Sequence, residues 1–441
     1  MNVEDLDTHI MTLGRPTIPS PVRKGRRKNL KAFTSEDNRV LVSVDADYIY
    51  SMLTRGKTPP SFEEAGPREM IYFDPSKLKC ALVTCGGLCP GLNGVIRAAV
   101  LELWYGYGIR NILGIRHGLQ GFIPAYRHEV VELTPKIVGD IIRKGGSYLG
   151  SSRGPQNVER IVDCLERMNI SVLFMAGGDG TLKAANKIAN VILERDLKIS
   201  VVGIPKTIDN DIFMVSRSFG FDTAVEVATE SIRAAHNEAH GYPNGVGLIK
   251  LMGRHSGFIA ATAALAQQDV NFVLIPEVDF DLDGPRGFLA ALDRRLEDRG
   301  HAVIVVAEGA GQKFFQDVNG QGKDPSGNVK LHDIGGYLKE RIQRYFKEKE
   351  VDISLKYIDP SYLIRSLPAN ANDHAFCSFL GRNAVHAAMA GKTRMLVGHW
   401  NNRFVHVPMD VSCSRRKQVD PTGRIWQSVL EATGQGELKN T

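Results

Sequence analysis

Six short apolar runs, residues 80–84, 172–176, 200–204, 247–251, 272–275 and 302–307, constrain this chain more than any other feature. Each has the length of a strand, is rich in Val, Ile or Leu, and is continuous rather than alternating. A strand with one wet face alternates. A strand that is apolar throughout must be covered on both faces, the condition of a parallel sheet between helical layers. Residues 158–168 and 257–267 carry helical patterns between such runs, and glycine-rich turns follow several of them. The βαβ repetition predicts an α/β protein of one or two doubly wound lobes. With 441 residues the chain is long enough for two, and its 44 glycines suit many tight strand-to-helix turns.

Outside this repetition the chain is less regular. Residues 1–40 are polar and broken by Pro16, Pro19 and Pro21, which predicts an extended or mobile arm. Residues 41–76 read as an extension packed on the main body. Residues 311–327 read as a surface insertion, an inert loop rather than a lid. The net charge of +6 is a mild excess, compatible with an anionic substrate and not requiring nucleic acid. The densest basic run, Arg23, Lys24, Arg26, Arg27 and Lys28, lacks interleaved aromatics and reads as a solvated tail rather than an RNA arm. Six cysteines form neither a disulfide framework nor a zinc pattern, so reduced thiols are expected. No segment is a membrane span. The N-terminus lacks an apolar core, and Glu4, Asp5 and Asp7 argue against a transit peptide, so a cytoplasmic protein is expected.

In an open parallel sheet, ligands bind beyond the carboxyl ends of the strands. Four loops there carry chemistry. Gly86-Gly87-Leu88-Cys89-Pro90-Gly91-Leu92-Asn93 follows the first run and precedes a helical stretch at 94–105; its glycines let backbone N–H groups approach an anion. Alone it is as often a structural turn. Gly177-Gly178-Asp179-Gly180-Thr181 adds a carboxylate suited to Mg²⁺, in a pattern shared among sugar, lipid and NAD kinases. Pro205-Lys206-Thr207-Ile208-Asp209-Asn210-Asp211 packs two carboxylates, a lysine and a hydroxyl into one strand end, costly to bury unless it binds something. There Lys206 can neutralise a moving phosphoryl group, Asp209 can take a proton from a hydroxyl, and Asp211 can orient its neighbours or bind metal. The competing reading makes Asp209 or Asp211 a helix cap. In Met252-Gly253-Arg254-His255-Ser256-Gly257, Arg254 is expected to open a helix and bind a phosphate monoester. Arg153, in Gly150-Ser151-Ser152-Arg153-Gly154, and Lys356, Tyr362 and Arg365 could converge on the same anions; singly, such residues are usually surface charge.

Taken together, these segments resemble the phosphofructokinase A family from about residue 80 to 410, with every motif in family order. Lys206 and the long N-terminal extension look most like the group holding plant and trypanosomatid ATP enzymes and many pyrophosphate-dependent ones. The resemblance implies two Rossmann-like lobes with the active site in a cleft between them. They would be a nucleotide-binding lobe, 77–220 with 364–412, and a fructose 6-phosphate lobe, 221–363 with 413–441, after an extension at 1–76. It implies a glycolytic ATP-dependent 6-phosphofructokinase using Mg²⁺, with ATP and fructose 6-phosphate as partners, working as a homo-oligomer (tetramer or dimer).

By resemblance, Gly87, Arg153, Gly178, Asp179, Gly180 and Thr181 hold the donor, and Asp179 links the metal. Asp209 is the general base, with Lys206, Thr207, Asp211 and Arg153 beside it. Thr207, Asp209, Met252, Gly253, Arg254, Glu308, Lys356, Tyr362 and Arg365 hold the sugar phosphate. The chain departs from the compact bacterial enzymes at Lys206, at Gly245, at Tyr362 and at Lys356, which stand for a glycine, an arginine, a histidine and an arginine. Interface-crossing arginines help carry allosteric control there, so these changes argue against control of the bacterial kind. Gly180 replaces an aspartate of pyrophosphate enzymes and leaves room for the α-phosphate of ATP, whereas Ala184 puts a methyl where ATP enzymes often have glycine. The alternatives are a pyrophosphate-dependent phosphotransferase and a non-catalytic sugar-phosphate-binding paralogue.

Overall fold

The apolar runs become strands almost residue for residue. The structure is a computed structural model that describes residues 4, 6–24, 33–315, 322 and 329–440. Arg26, Arg27 and Lys28 of the basic run, and most of the 311–327 insertion, lie outside the described residues. The chain divides into two units: Met1–Thr207, Ile212–Gly220 and Ser366–Arg416 in one, and Ile208–Asp211, Phe221–Arg365 and Lys417–Thr441 in the other.

The first unit is built on a sheet of nine strands among the described residues. Its centre is parallel and runs, in spatial order, Met395–Trp400, Ser200–Pro205, Val172–Gly177, Lys79–Thr84 and Asn111–Ile115. Val130–Glu132 closes one edge antiparallel, and Arg403–Pro408, Ser61–Glu64 and Arg39–Leu41 extend the other. Val172–Gly177 and Ser200–Pro205 are buried at every position, as strands covered on both faces must be. Ile161 and Leu165 of helix Val158–Arg167 pack with Ala185 and Ile188 of helix Asp179–Glu194 against Leu173 and Met175 of the sheet. The first of these helices starts where the Asn157 side chain accepts the Arg160 amide at 2.9 Å, satisfying one of the donors a helix start leaves open.

The described residues of the N-terminal arm are extended and anchored on the body of their unit. Leu6 and Ile10 are buried, and Leu6 packs with Val42, Phe62 and Leu182. Thr12 bridges Lys392, and Ile18–Pro19 pairs antiparallel with Met70–Ile71. Prolines erased the periodicity of this arm, yet isolated apolar anchors suffice to pin it. The helix read at 94–105 is Leu92–Leu101, followed by a wider turn of π-helix, Glu102–Gly106. It begins at Gly91, whose φ of 99° lies in the left-handed region. A Cβ there would come within 2.5 Å of Cys377 Sγ, so the turn needs glycine for two reasons.

Among the described residues, the second unit carries a four-stranded, wholly parallel sheet in the order Phe272–Leu274, His301–Ala307, Gly245–Leu251, Ser354–Ile358. Leu248, Ile304 and Val306 of the sheet pack with Leu292 and Leu296 of helix Phe288–Arg299, and with Leu338 and Ile342 of helix Ile334–Glu348. Among the described residues, no helix is long and apolar enough to cross a membrane.

Candidate functional site

Strand ends in each unit gather the sequence-selected residues, and each unit forms its own cluster. In the first unit, strand Lys79–Thr84 delivers Gly86 and Gly87, strand Val172–Gly177 delivers Gly178 to Thr181, and strand Ser200–Pro205 delivers Lys206. The buried Lys206 ammonium donates to the Gly87 carbonyl at 2.7 Å, and its amide donates to the Gly177 carbonyl at 3.0 Å. Ser151 Oγ donates to the Gly86 carbonyl at 2.6 Å, and the Gly86 amide donates to the Ser152 carbonyl at 3.2 Å. Thr84 Oγ1 donates to the Gly150 carbonyl at 2.6 Å. Three loops distant in sequence are thus stitched together around one lysine. Arg153, which ends the serine-rich segment, is exposed.

Asp179 lies in the first turn of helix Asp179–Glu194, with Gly178 at the N-cap. A carboxylate there is stabilised by the open amides and the helix dipole. Its Oδ2 accepts from Lys183 Nζ at 3.0 Å and from Arg416 Nη2 and Nε at 3.1 and 3.3 Å. A Cβ added to the neighbouring Gly180 would meet nothing within 4 Å. Thr181 is buried, and its amide donates to the Gly178 carbonyl. Thr207 closes this cluster, its carbonyl accepting from Ser218 Oγ at 2.7 Å.

In the second unit, neither Asp209 nor Asp211 caps a helix, because the next helix is Phe221–His240. The Asp209 carbonyl accepts from Ser256 Oγ at 3.0 Å, tying the Asp209 segment to the Met252–Gly257 turn. The Asp211 carbonyl accepts from the Lys417 amide at 2.9 Å. Burial lowers the Lys417 ammonium to about 7, against the pull of Asp211. Arg254 does not open a helix: helix Phe258–Gln267 starts four residues later, and Arg254 stands in the preceding turn. The turn is tight because Gly253 has φ 135° and accepts the Gly309 amide at 3.2 Å, leaving no regular helical start before Gly257. The Arg254 guanidinium donates to the Val329 carbonyl.

Glu308 follows strand His301–Ala307, and its amide donates to the Leu251 carbonyl at 2.9 Å. Burial pushes its carboxyl up, while Arg254, Lys250 and Arg365 pull the other way, so these four groups share one electrostatic neighbourhood. Lys356 lies on strand Ser354–Ile358 opposite Gly247, its ammonium 4.9 Å from the Tyr242 ring centre. The Arg365 guanidinium lies 4.9 Å from the ring centre of the exposed Tyr362.

Three groups escaped the sequence reading. Lys250 pairs with Asp333 at 2.8 Å and Asp359 at 2.9 Å; burial works against its charge, and the two carboxylates outweigh that and raise its pKa. Glu277 accepts from the Gly257 amide at 2.9 Å and the Val419 amide at 2.8 Å, holding the Arg254 turn to the C-terminal segment. Arg416 reaches Asp179 from the far end of the chain. Lys250 and Glu277 stand next to a strand end and a Pro, where a spacing rule gives no signal. Arg416 lies in the run Arg415-Arg416-Lys417, where a charge run reads as solvated.

Among the described residues, no group of three or more His, Cys, Asp or Glu side chains is disposed to hold a metal ion. Magnesium is commonly held by one or two carboxylates together with substrate phosphates. A single carboxylate, Asp179, at a helix start flanked by Gly178 and Gly180 fits that mode and does not fit an all-protein cage.

The family model described as Phosphofructokinase matches residues 79–388. An ATP-dependent 6-phosphofructokinase of Borreliella burgdorferi is 51% identical, over 98% of this chain and 97% of its own. One from Amycolatopsis methanolica is 47% identical, over 97% and 95%. ATP-dependent 6-phosphofructokinase 5, chloroplastic, of Arabidopsis thaliana is 49% identical, over 85% and 69%. Among solved structures, a pyrophosphate-dependent phosphofructokinase from Marinobacter aquaeolei superposes with a TM-score of 0.67 at 20% identity, over 82% of this chain and 92% of its own. At that identity the likeness speaks to the fold alone: α/β with parallel-rich sheets.

Proposed function

This chain belongs to the phosphofructokinase family, and we infer from that membership that it is an ATP-dependent 6-phosphofructokinase. It moves the terminal phosphoryl group of ATP to the 1-hydroxyl of fructose 6-phosphate, giving fructose 1,6-bisphosphate and ADP. The observation that carries this reading is similarity along almost the whole chain to enzymes named for that activity. The open space beside Gly180 supports ATP as donor, since an aspartate side chain there would crowd a nucleotide's α-phosphate.

The residue roles follow the chemistry each group can perform. Asp209 accepts the proton of the 1-hydroxyl as that oxygen attacks. Lys206, already facing the Gly87 carbonyl, and Arg153 neutralise charge on the group in flight, with amides near Gly87. Thr207 and Asp211 flank the base. Gly178, Asp179, Gly180 and Thr181 line the donor. Met252, Gly253, Arg254 and Glu308 hold the sugar, and Lys356, Tyr362 and Arg365 its 6-phosphate. Bound through Asp179, Mg²⁺ would supply charge neutralisation at the terminal phosphates. Placement and electrostatics dominate such a reaction, because phosphoryl transfer leaves little covalent work to the protein. By family resemblance the enzyme works as a tetramer or dimer, which sedimentation of the purified protein checks. A coupled assay offering ATP or pyrophosphate with fructose 6-phosphate tests the reading: turnover with ATP supports it, and turnover only with pyrophosphate replaces it with the alternative donor.

A further inference from the structure

Asp179 has more positive charge around it than one carboxylate needs. Lys183 Nζ and both Nε and Nη2 of Arg416 converge on the single oxygen Oδ2. A guanidinium fork pairs best when it spans two oxygens of a carboxylate or phosphate. Here it closes on one. Lys183 and Arg416 thus bring two positive charges to one carboxylate oxygen, a field that favours an anionic ligand beside it. The Arg416 side chain is 30% exposed, so an incoming ligand can reach it, whereas Asp179 is 13% exposed.

The backbone of Arg416 is also anchored where it matters. Arg416 forms an antiparallel bridge with Ile212, the residue directly after Asp211. The guanidinium is therefore carried by a segment paired to Ile212 within the same unit, not by a free tail.

Resting on the reading above, we propose that Arg416 is a donor-binding residue of the donor subsite. Without donor it holds the Asp179 carboxylate in place, and when ATP arrives with its metal it passes its fork from Asp179 Oδ2 to the donor's terminal phosphates. The exchange frees the carboxylate for the metal and replaces a one-oxygen contact with a two-oxygen one. No bond is made or broken at Arg416; only hydrogen bonds change hands.

The test uses the full-length protein and its Arg416→Ala and Arg416→Lys variants. Binding of ATP with Mg²⁺, and of fructose 6-phosphate, is measured by calorimetry, AMP binding by saturation-transfer NMR, and unfolding temperature by scanning calorimetry. Loss of a charge-assisted contact to the terminal phosphates weakens ATP binding by about ten- to a hundredfold. AMP binding, fructose 6-phosphate binding and unfolding temperature stay at wild-type values in Arg416→Ala, and the ATP KM rises with the dissociation constant. Arg416→Lys keeps the charge without the fork and recovers part of the loss; it decides the matter should the alanine variant fail to fold. Unchanged ATP binding in both variants, or equal weakening of ATP and AMP, overturns the proposal. A wild-type protein that binds no ATP would instead sink the functional reading, before any variant is compared.

Discussion

The backbone of the Asp209 segment is anchored from elsewhere: its own carbonyl takes the Ser256 hydroxyl, and the carbonyl two residues on takes the Lys417 amide. Neither of these two contacts uses the Asp209 carboxylate. Asp209→Ala is expected to lower turnover by about two to four decades, the usual range for a general base, with fructose 6-phosphate affinity largely kept; near-wild-type kcat in steady-state kinetics would strip Asp209 of that role. Gly180 gives a second test at this scale. Its α-carbon faces open space, so an aspartate fits there sterically, and the change acts through charge and bulk toward the donor. Gly180→Asp should raise the KM for ATP while the fructose 6-phosphate KM holds, and an unaltered ATP KM would mean that the donor's α-phosphate lies elsewhere. Most residues of the candidate site were legible because strand-end chemistry is dense in sequence: Lys206, Thr207, Asp209 and Asp211 fall within six positions. Arg416 and Glu277 were not, because each acts on a loop more than a hundred residues away or across an irregular turn, and nothing local marks such a partner.

At the scale of elements, the N-terminal extension is joined to the main sheet through buried charge. Glu63, on strand Ser61–Glu64, accepts from Arg68 at 2.7 Å and lies 3.2 Å from both Lys392 Nζ and His406 Nδ1, all four groups being buried. Burial alone would raise the Glu63 carboxyl, but His406, Lys392 and Arg68 outweigh it and hold it far below the usual carboxylate range. A depressed carboxyl contributes stability above its unfolded value of 4.5 and loses it as pH falls through the folded value, so the protein should weaken in acid. Glu63→Gln leaves Arg68 and Lys392 without their shared anion and is expected to cost about 3–5 kcal/mol in urea unfolding at neutral pH. The acid-side slope of stability should shrink in the same variant; a loss under about 1 kcal/mol with the slope intact would contradict the cluster's role. The extension also shows why some elements were hard to read. Central strands such as Val172–Gly177 announce themselves by continuous apolarity, whereas Ser354–Ile358, half-buried at every position, presents mixed residues and no run. The hairpin Met395–Trp400 to Arg403–Pro408 did carry a signal, Asn401-Asn402, both with positive φ, which is the turn chemistry of a two-residue hairpin loop. In the N-terminal arm, Leu6 and Ile10 anchor singly, so no period exists to detect.

For the whole molecule, the two units each place their candidate site residues beyond the carboxyl ends of parallel strands, the first at Gly86–Gly87, Gly177–Thr181 and Lys206, the second at Met252–Arg254 and Glu308. The division of labour proposed above, polyanion loops in one sheet and hydroxyl- and phosphate-binding groups in the other, is what a kinase acting on a sugar phosphate requires. The most direct measurement is a coupled spectrophotometric assay of the purified full-length protein with fructose 6-phosphate and Mg²⁺, offered ATP or pyrophosphate in parallel. Fructose 1,6-bisphosphate formed with ATP, and little or none with pyrophosphate, is the expected result. Product formed only from pyrophosphate, or from neither donor, would contradict it.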